Sequence, residues 1–449
     1  MANLVEHKRY QCTSATDNNN KFWEYEKYDD GTYVAIYGRN GKTRTEDPPK
    51  PINGPNGLEK KIREKTAGRG KIGTPTYKPP YIECPVIETQ SISGPSGPTV
   101  TKSVVKAAAI SQLAKNDTVL QALVHKLVEA NRHELVTATK GSLTIDSSGM
   151  IRTSAGVIVT KDNIVDARIQ LDLMAPHVLK HDFDNQDFLK SLNMYLMRVP
   201  QIVGHARGWH KYFLTDQAGL NKQSTLLDQL EVSAGLAEDR KKAALTQHVD
   251  STPEPDLFNT DLTLVTDQSV IKMIEKMYFD NVNMKHDSAR AGLKPVRFYE
   301  VCHRDSHAAF QNDGAKVGNI RLLWHGTRVF NVLSILKNSL MLPKTLSTMQ
   351  ICGALFGNGC YFSDQASKSL NYSYGGVWDR GARDNNCFMF LGDVACGKEY
   401  VPKSSYETLP KPGYDSTYAI GGKSGVINNE FIVYRTSQAN LRYLVEFDK

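Results

Sequence analysis

The chain has 449 residues, 40% of them hydrophobic and 23% charged, the balance of a soluble globular protein long enough for two or three hydrophobic cores. No apolar stretch approaches the roughly 18 residues that span a membrane, and the opening MANLVEHKRY lacks the apolar core of a secretory signal, so an intracellular protein without a membrane partner is expected. The net charge of +7 favours an anionic partner, and the seven cysteines contain no C-x2-C pair, which argues against a structural zinc site or a disulfide framework.

In chain order, KFWEYEKYDDGTYVAIYGRNG offers two aromatic-rich strands joined at Asp29-Asp30-Gly31. Pro48, Pro49 and Pro51 should then stop the sheet, and GLEKKIREKTA at 57–67 reads as a short charged helix. Prolines 79, 80, 85, 95 and 98, with Gly94 and Gly97, mark 83–100 as a linker. Asp117 can cap a helix in which Leu120, Leu123, Val124, Leu127 and Val128 form one apolar face. A Gly/Ser-rich stretch at 141–156 interrupts. Asp162 is the candidate cap of a second helix reaching about residue 175, and 185–198 and 223–247 read as further helices. The organisation predicted is a β-rich module at 1–82, a helical domain at 101–255 and a third domain at 256–449. In that third domain DLTLVTD, PVRFYEV, IRLLWHG, NCFMFLGDVA, NEFIVYR and LRYLVEF read as short strands, giving a multidomain α+β protein with a C-terminal mixed sheet.

Three pieces of this domain can carry chemistry. In GNIRLLWHGTR, His325 ends a strand beside Gly326, where a ligand can approach the backbone. In FGNGCYFSDQASKSLNYS, Ser363-Asp364 can cap a helix that sets Ser369 and Tyr372 three residues apart on one face, and a tyrosine can stack on a flat ring. In NNEFIVYR, Glu430 opens an alternating strand, from which its side chain can project into a cleft. Taken singly, each has an ordinary structural reading: a hydrogen-bonded histidine, an aromatic core and a solvated glutamate.

Together and in this order, LLWHGTR, FGNGCYFSDQASKSLNYS, FLGDVACGKEY, LPKPGYDST and NNEFIVYRTSQANLRYLVEF closely resemble the catalytic domain of the poly(ADP-ribose) polymerase family. The resemblance implies an ADP-ribosyltransferase fold that consumes NAD+ as co-substrate, releases nicotinamide and needs no metal. His325, Tyr361 and Glu430 then match the family's catalytic triad. Gly326 and Ser369 match the nicotinamide-amide contacts, Tyr361 and Tyr372 the two stacking tyrosines, and Thr327 and Lys368 accessory positions at the cofactor. Residues 343–356 match the loop over the donor. The chemistry agrees with these types. Positive charge spreads over the ribose as the glycosidic bond breaks, and a carboxylate can stabilise it and polarise an attacking hydroxyl. Two departures stand out. Leu340-Met341-Leu342 replaces a segment that often carries an arginine, and the stretch before Glu430 is short, which leaves mono-ADP-ribosylation open beside chain formation.

The N-terminal stretch resembles the WGR module of DNA-dependent family members, with Tyr37-Gly38-Arg39 at the eponymous position. That resemblance implies contact with broken or nicked DNA and activation by it, through Arg39 and a strip formed by Lys60, Lys61, Arg63 and Lys65, with Arg69 and Lys71 beyond. A regulatory role for the helical middle is expected from its position alone. His205 with His210, and His303 with His307, lack a third ligand, so no metal is expected. The expected activity is transfer of ADP-ribose to protein acceptors, the chain itself included, as polymer. Single-unit transfer to protein or nucleic acid, a non-enzymatic nucleic-acid scaffold, and an effector aimed at host proteins are the other readings. A eukaryotic source would place the protein in the nucleus, any other in the cytoplasm.

Overall fold

The computed structural model describes residues 2–14, 19–39, 44–69, 79–84, 109–138, 143–145, 151–153, 159–203, 206–246, 258–281, 292–342, 355–374, 386–405 and 407–449. The aromatic runs at the start form an antiparallel meander, β1 (Leu4–Ser14), β2 (Asn19–Tyr28) and β3 (Thr32–Arg39). The turn between β2 and β3 falls at Asp29-Asp30-Gly31, with Gly31 at φ +82° and the Asp30 carboxylate accepting the Thr32 N–H at 2.9 Å. The prolines do not end the sheet: β4 (Thr45–Glu46) and β5 (Lys50–Pro51) add two-residue strands to the edge of β3, where proline's missing donor is tolerated. Helix α1 (Leu58–Thr66) packs by Leu58, and β6 (Ile82–Cys84) pairs with β1. Both faces of this sheet are buried. Tyr10, Trp23, Tyr25, Tyr33 and Ala35 pack on one face with Leu58, and Phe22, Val34 and Ile36 lie on the other. The second face also holds a buried Arg9–Glu24 ion pair, with the guanidinium 4.2 Å from the Phe22 ring.

Helix α2 (Thr118–Ala138) starts at Asp117, whose carboxylate accepts the Val119 and Leu120 N–H groups at 2.7 and 3.1 Å. A small hairpin, β7 (Leu143–Ile145) and β8 (Ile151–Thr153), falls within the Gly/Ser-rich stretch. Helix α3 (Lys161–Leu179) is capped by Thr160 in a capping box with Asn163, not by Asp162, and it runs past Pro176. Helices α4 (Gln186–Arg198) and α5 (Gln217–Thr246) follow.

The rest of the chain alternates short helices with strands: β9 (Thr260–Leu264), α6 (Gln268–Asp280), β10 (Lys294–His303), α7 (Arg304–Asn312), β11 (Ile320–Gly326), α8 (Val329–Asn338), β12 (Cys360–Phe362), α9 (Ala366–Ser373), β13 (Asn386–Ala395), β14 (Glu399–Tyr400), β15 (Ser416–Ala419), β16 (Glu430–Val433) and β17 (Ala439–Asp448). Five of these strands form an antiparallel sheet in the order β11-β13-β17-β10-β9, and four form a mixed sheet in the order β12-β16-β15-β14. Central strands covered on both sides read as continuous apolar runs, which is why NCFMFLGDVA stood out in the sequence. One core, including Ile274, Tyr278, Trp324, Leu370, Met389, Leu391, Val445 and Phe447, joins α6 and α9 to the larger sheet.

The chain divides into two compact units: Met1–Val104 with His133–Glu238, and Val105–Arg132 with Asp239–Lys449. Within the first, Gln11 donates to the Leu196 carbonyl at 3.1 Å and Asn20 to that of Gln201 at 3.2 Å, so the N-terminal sheet is built together with part of the helical middle. Within the second, the buried Glu446 of β17 collects Lys126 of α2 at 2.6 Å, Tyr299 at 3.0 Å, Asn386 at 3.1 Å and Arg297 at 3.3 Å. Burial pushes this carboxyl up, but the Lys126 ammonium and the other donors outweigh it and hold it below the usual range.

Candidate active site

The two sheets of the second unit meet where β11 ends. Trp324 and Ser363 exchange backbone hydrogen bonds of 2.8 and 2.9 Å, which brings the strand bearing His325 against the one bearing Tyr361. The His325 Nδ1 lies 2.9 Å from the Tyr361 carbonyl. A carbonyl only accepts, so Nδ1 carries the proton and the neutral ring presents Nε2 as an acceptor. Burial holds the His325 pKa below its usual 6.5, against the opposing pull of that carbonyl.

A testable pH dependence follows. Between the depressed pKa and 6.5 the unfolded chain binds the proton that the folded chain refuses, so stability rises with pH through that window and levels off above it. His325→Asn keeps a donor for the Tyr361 carbonyl but cannot titrate. Melting temperatures from about pH 5 to pH 8 should fall less on acidification in the variant than in the wild type. Identical profiles would show that His325 binds its proton equally in the folded and unfolded chains.

Helix α9 approaches the end of β11 so closely that a Cβ on Gly326 would lie 1.8 Å from the Ser369 carbonyl oxygen. Sequence reasoning assigned this glycine to ligand approach; the structure adds a demand from the helix itself. The approach sets Ser369 under the strand, where its hydroxyl donates to the Trp324 carbonyl at 3.1 Å and keeps lone pairs to accept a further donor. The cap expected from Ser363-Asp364 sits differently: the Ser363 hydroxyl accepts the Gln365 N–H at 3.1 Å, ahead of the helix. Thr327, also buried, accepts from Asn331 at 3.3 Å.

Lys368, on the same helix, reaches Glu430. Its ammonium lies 2.9 Å from the Glu430 carboxylate, donates to the Tyr372 hydroxyl at 3.2 Å and sits 4.5 Å from the Tyr372 ring centroid. Burial pulls the Lys368 pKa down, but Glu430 and Tyr372 more than offset it, and the net displacement is upward. Glu430 opens β16, which is buried throughout and not alternating as the sequence suggested. The Tyr361 hydroxyl accepts the Phe356 N–H at 2.9 Å and donates to the Gly357 carbonyl at 2.8 Å, and its side chain packs against the core cluster of Phe356, Ala419 and Ile432. Burial raises the Tyr361 pKa, and Glu430 and Tyr372 are close enough to add to the rise. His325, Gly326, Thr327, Tyr361, Lys368, Ser369, Tyr372 and Glu430 are therefore neighbours. Residues 343–354 of the expected donor loop lie outside the described residues. Sequence reasoning missed Tyr434, which donates to the Phe356 carbonyl at 2.7 Å and so secures the end of that loop. It also missed Asn429, the residue immediately before Glu430, where β16 starts.

The basic residues singled out near the N-terminus belong to the first unit. Lys60 and Arg63 are exposed on α1, with Lys60 3.1 Å from the Asn56 side-chain oxygen. Lys61 pairs with Glu64 at 3.6 Å. Lys65 is turned against aromatic rings, 4.8 Å from the Tyr81 centroid and 5.9 Å from that of Trp23. Arg39 ends β3, where burial lowers its pKa. Arg69 is exposed, and Lys71 lies outside the described residues. Of the histidines considered for a metal, His210 faces Asp184 at 3.3 Å, His303 faces the Lys337 carbonyl at 3.0 Å, and His205 lies outside the described residues. Among the described residues no three His, Cys, Asp or Glu side chains are grouped to hold a metal ion, and no helix is long and apolar enough to cross a membrane.

Residues 271–425 match the Poly(ADP-ribose) polymerase catalytic domain. That span includes every residue of the site except Glu430. Protein mono-ADP-ribosyltransferase PARP4 of Mus musculus is 37% identical over 142 residues, 30% of this chain and 7% of that protein. The poly(ADP-ribose) polymerase-like protein 100L of Invertebrate iridescent virus 6 is 34% identical over 139 residues, 29% of this chain and 71% of the viral one. Poly(ADP-ribose) polymerase 1 of Gallus gallus is 28% identical over 258 residues, 51% of this chain and 24% of the relative. The chain thus spans under a tenth of the PARP4 proteins of mouse and human. The site lies in an NAD+-dependent ADP-ribosyltransferase domain, for which NAD+ is a consumed co-substrate. The chain belongs to the poly(ADP-ribose) polymerase family.

Proposed function

We propose that the protein transfers ADP-ribose from NAD+ to protein acceptors, itself included, with release of nicotinamide. The observation that carries this reading is the Glu430 carboxylate held 2.9 Å from Lys368 beside Tyr361 and Tyr372. In this reading the Tyr361 and Tyr372 rings enclose the nicotinamide, Ser369 and the Gly326 backbone take its amide, and the His325 Nε2 accepts a ribose hydroxyl. Thr327 contributes at the edge. Glu430 stabilises the positive charge that develops on the ribose and polarises the attacking hydroxyl. The match of residues 271–425 to the family's catalytic domain supports the assignment. Chain formation is the outcome proposed. Transfer of single units is the second reading, favoured by the likeness to proteins named mono-ADP-ribosyltransferases. Incubation with labelled NAD+, with and without nicked DNA, followed by separation by size, distinguishes polymer, single units and no transfer.

The N-terminal sheet, with Tyr37-Gly38-Arg39 on β3, is proposed as a WGR-like module that contacts broken DNA. The exposed Lys60 and Arg63 on α1 support the reading. Neutralising Lys60, Lys61 and Arg63 should weaken DNA binding and reduce the slope of log K against log salt by about 0.9 per lost phosphate contact. Lys65→Gln should leave the slope nearly unchanged, because the Lys65 ammonium is turned to Tyr81 and Trp23. Unchanged affinity and slope in the triple variant would reduce the strip to a solvated helix face.

A further inference from the structure

Asn429, immediately before Glu430, makes four hydrogen bonds, two from its main chain and two from its side chain. Its N–H donates to the Gln365 side-chain oxygen at 3.0 Å, and its carbonyl accepts from the Ser363 hydroxyl at 2.6 Å. Its side-chain oxygen accepts the Gly421 N–H at 3.0 Å, and its amide nitrogen donates to the Asp364 carboxylate at 3.2 Å. Bonds on both sides of one Cα fix the dihedrals that aim the next residue. Ser363, itself fully buried, and Gln365, the residue from which α9 springs, supply the partners. That helix also carries Lys368, the partner of Glu430.

We infer that Asn429 is a positioning residue for the transfer step. It registers the start of β16 against the segment 363–365, so that the Glu430 carboxylate stays aligned with Lys368 and the ribose. Gly421 adds the turn between β15 and β16 to the same junction. Neither Asn429 nor its partners need touch NAD+. This rests on Glu430 being the carboxylate that assists transfer, and it adds that the residue's rigidity comes from its chain neighbour.

Transfer of label from NAD+, with kcat and KM resolved, tests the inference on the full chain. Asn429→Asp replaces the amide donor with a carboxylate facing Asp364. Its kcat should fall by about 10- to 100-fold, the scale of a small misplacement of a catalytic group, with the KM for NAD+ within about threefold of wild type. Asp364→Asn in the same chain restores a donor and acceptor pair in reversed order and should bring kcat back to within about threefold. Asp364→Asn alone can still accept from Asn429 and should stay near wild type. Wild-type kcat in Asn429→Asp, or failure of the double variant to recover, overturns the inference. If Asn429→Asp does not fold, Gln365→Ala, which removes only the acceptor of the Asn429 N–H, must still lower kcat at unchanged KM, and wild-type kcat there overturns it. Glu430→Gln run in parallel separates the two levels: full activity in that variant overturns the assignment of Glu430 itself, whereas its inactivity beside an active Asn429→Asp removes only the role of Asn429.

Discussion

Glu430→Gln should lower the turnover of ADP-ribose transfer by about 10²–10⁴-fold, the usual contribution of a general base, while NAD+ still binds. The substitution keeps the size of the side chain and one acceptor oxygen, and removes a negative charge. That charge matters more when the ribose becomes cationic than in the bound ground state, so the loss falls on kcat and not on KM. The fold should survive. Lys368 loses the carboxylate at 2.9 Å but keeps the Tyr372 hydroxyl at 3.2 Å. The Lys368 pKa should fall, because Glu430 heads the influences that raise it against burial. Calorimetry with NAD+ and labelled transfer, on variant and wild type, separate binding from turnover. Loss of NAD+ binding in a folded variant would assign Glu430 to recognition, and full turnover would remove it from the reaction.

Gly326→Ala should cost stability as well as activity. The added carbon would meet the Ser369 carbonyl at 1.8 Å, a main-chain atom on a packed helix that cannot swing aside as a flexible side chain could. The expected cost is at or above the roughly 1–3 kcal/mol usual for overpacking, and α9 carries Lys368, Ser369 and Tyr372 away with it. Gly413→Ala is the control. That glycine has φ +81° and open space around the added carbon, so the cost there is the roughly 1–2 kcal/mol of a left-handed backbone for an ordinary residue. Melting of the two variants, with NAD+ titrations, should show the first destabilised and without binding, and the second folded and competent. Equal melting temperatures would mean that α9 yields to the extra carbon.

Central strands of the second unit were legible because burial on both faces writes itself as apolar runs, as in β13 and β17. The hairpin at Gly31 and the cap at Asp117 were legible because turns and caps use few residue types. The Thr160 cap was missed because Asp162 is an equally good cap residue two positions later, and only the reciprocal contact with Asn163 decides between them. The small strand β5 was missed because a proline on a sheet edge looks the same in sequence as a proline that ends a sheet. At the site, the identities of His325, Tyr361 and Glu430 could be read from motifs. The Lys368–Glu430 pair, the demand of α9 on Gly326 and the four bonds of Asn429 could not, since each joins segments whose separation along the chain says nothing of their distance in space. The placing of the Lys65 ammonium near the Tyr81 and Trp23 rings was equally beyond the sequence, which showed it only as one of several basic residues.

Glu446 bears on how the molecule can be divided. A truncation beginning at residue 256, where composition changes, would retain every strand of the larger sheet but discard Lys126, the ammonium 2.6 Å from that carboxylate. Tyr299, Asn386 and Arg297 would remain, facing a charge stripped of its strongest opponent on the central strand of the sheet. A fragment that starts ahead of α2, with its chain continuous through the helices, retains the counter-charge. The minimal unit for expression therefore begins well upstream of the first strand it needs.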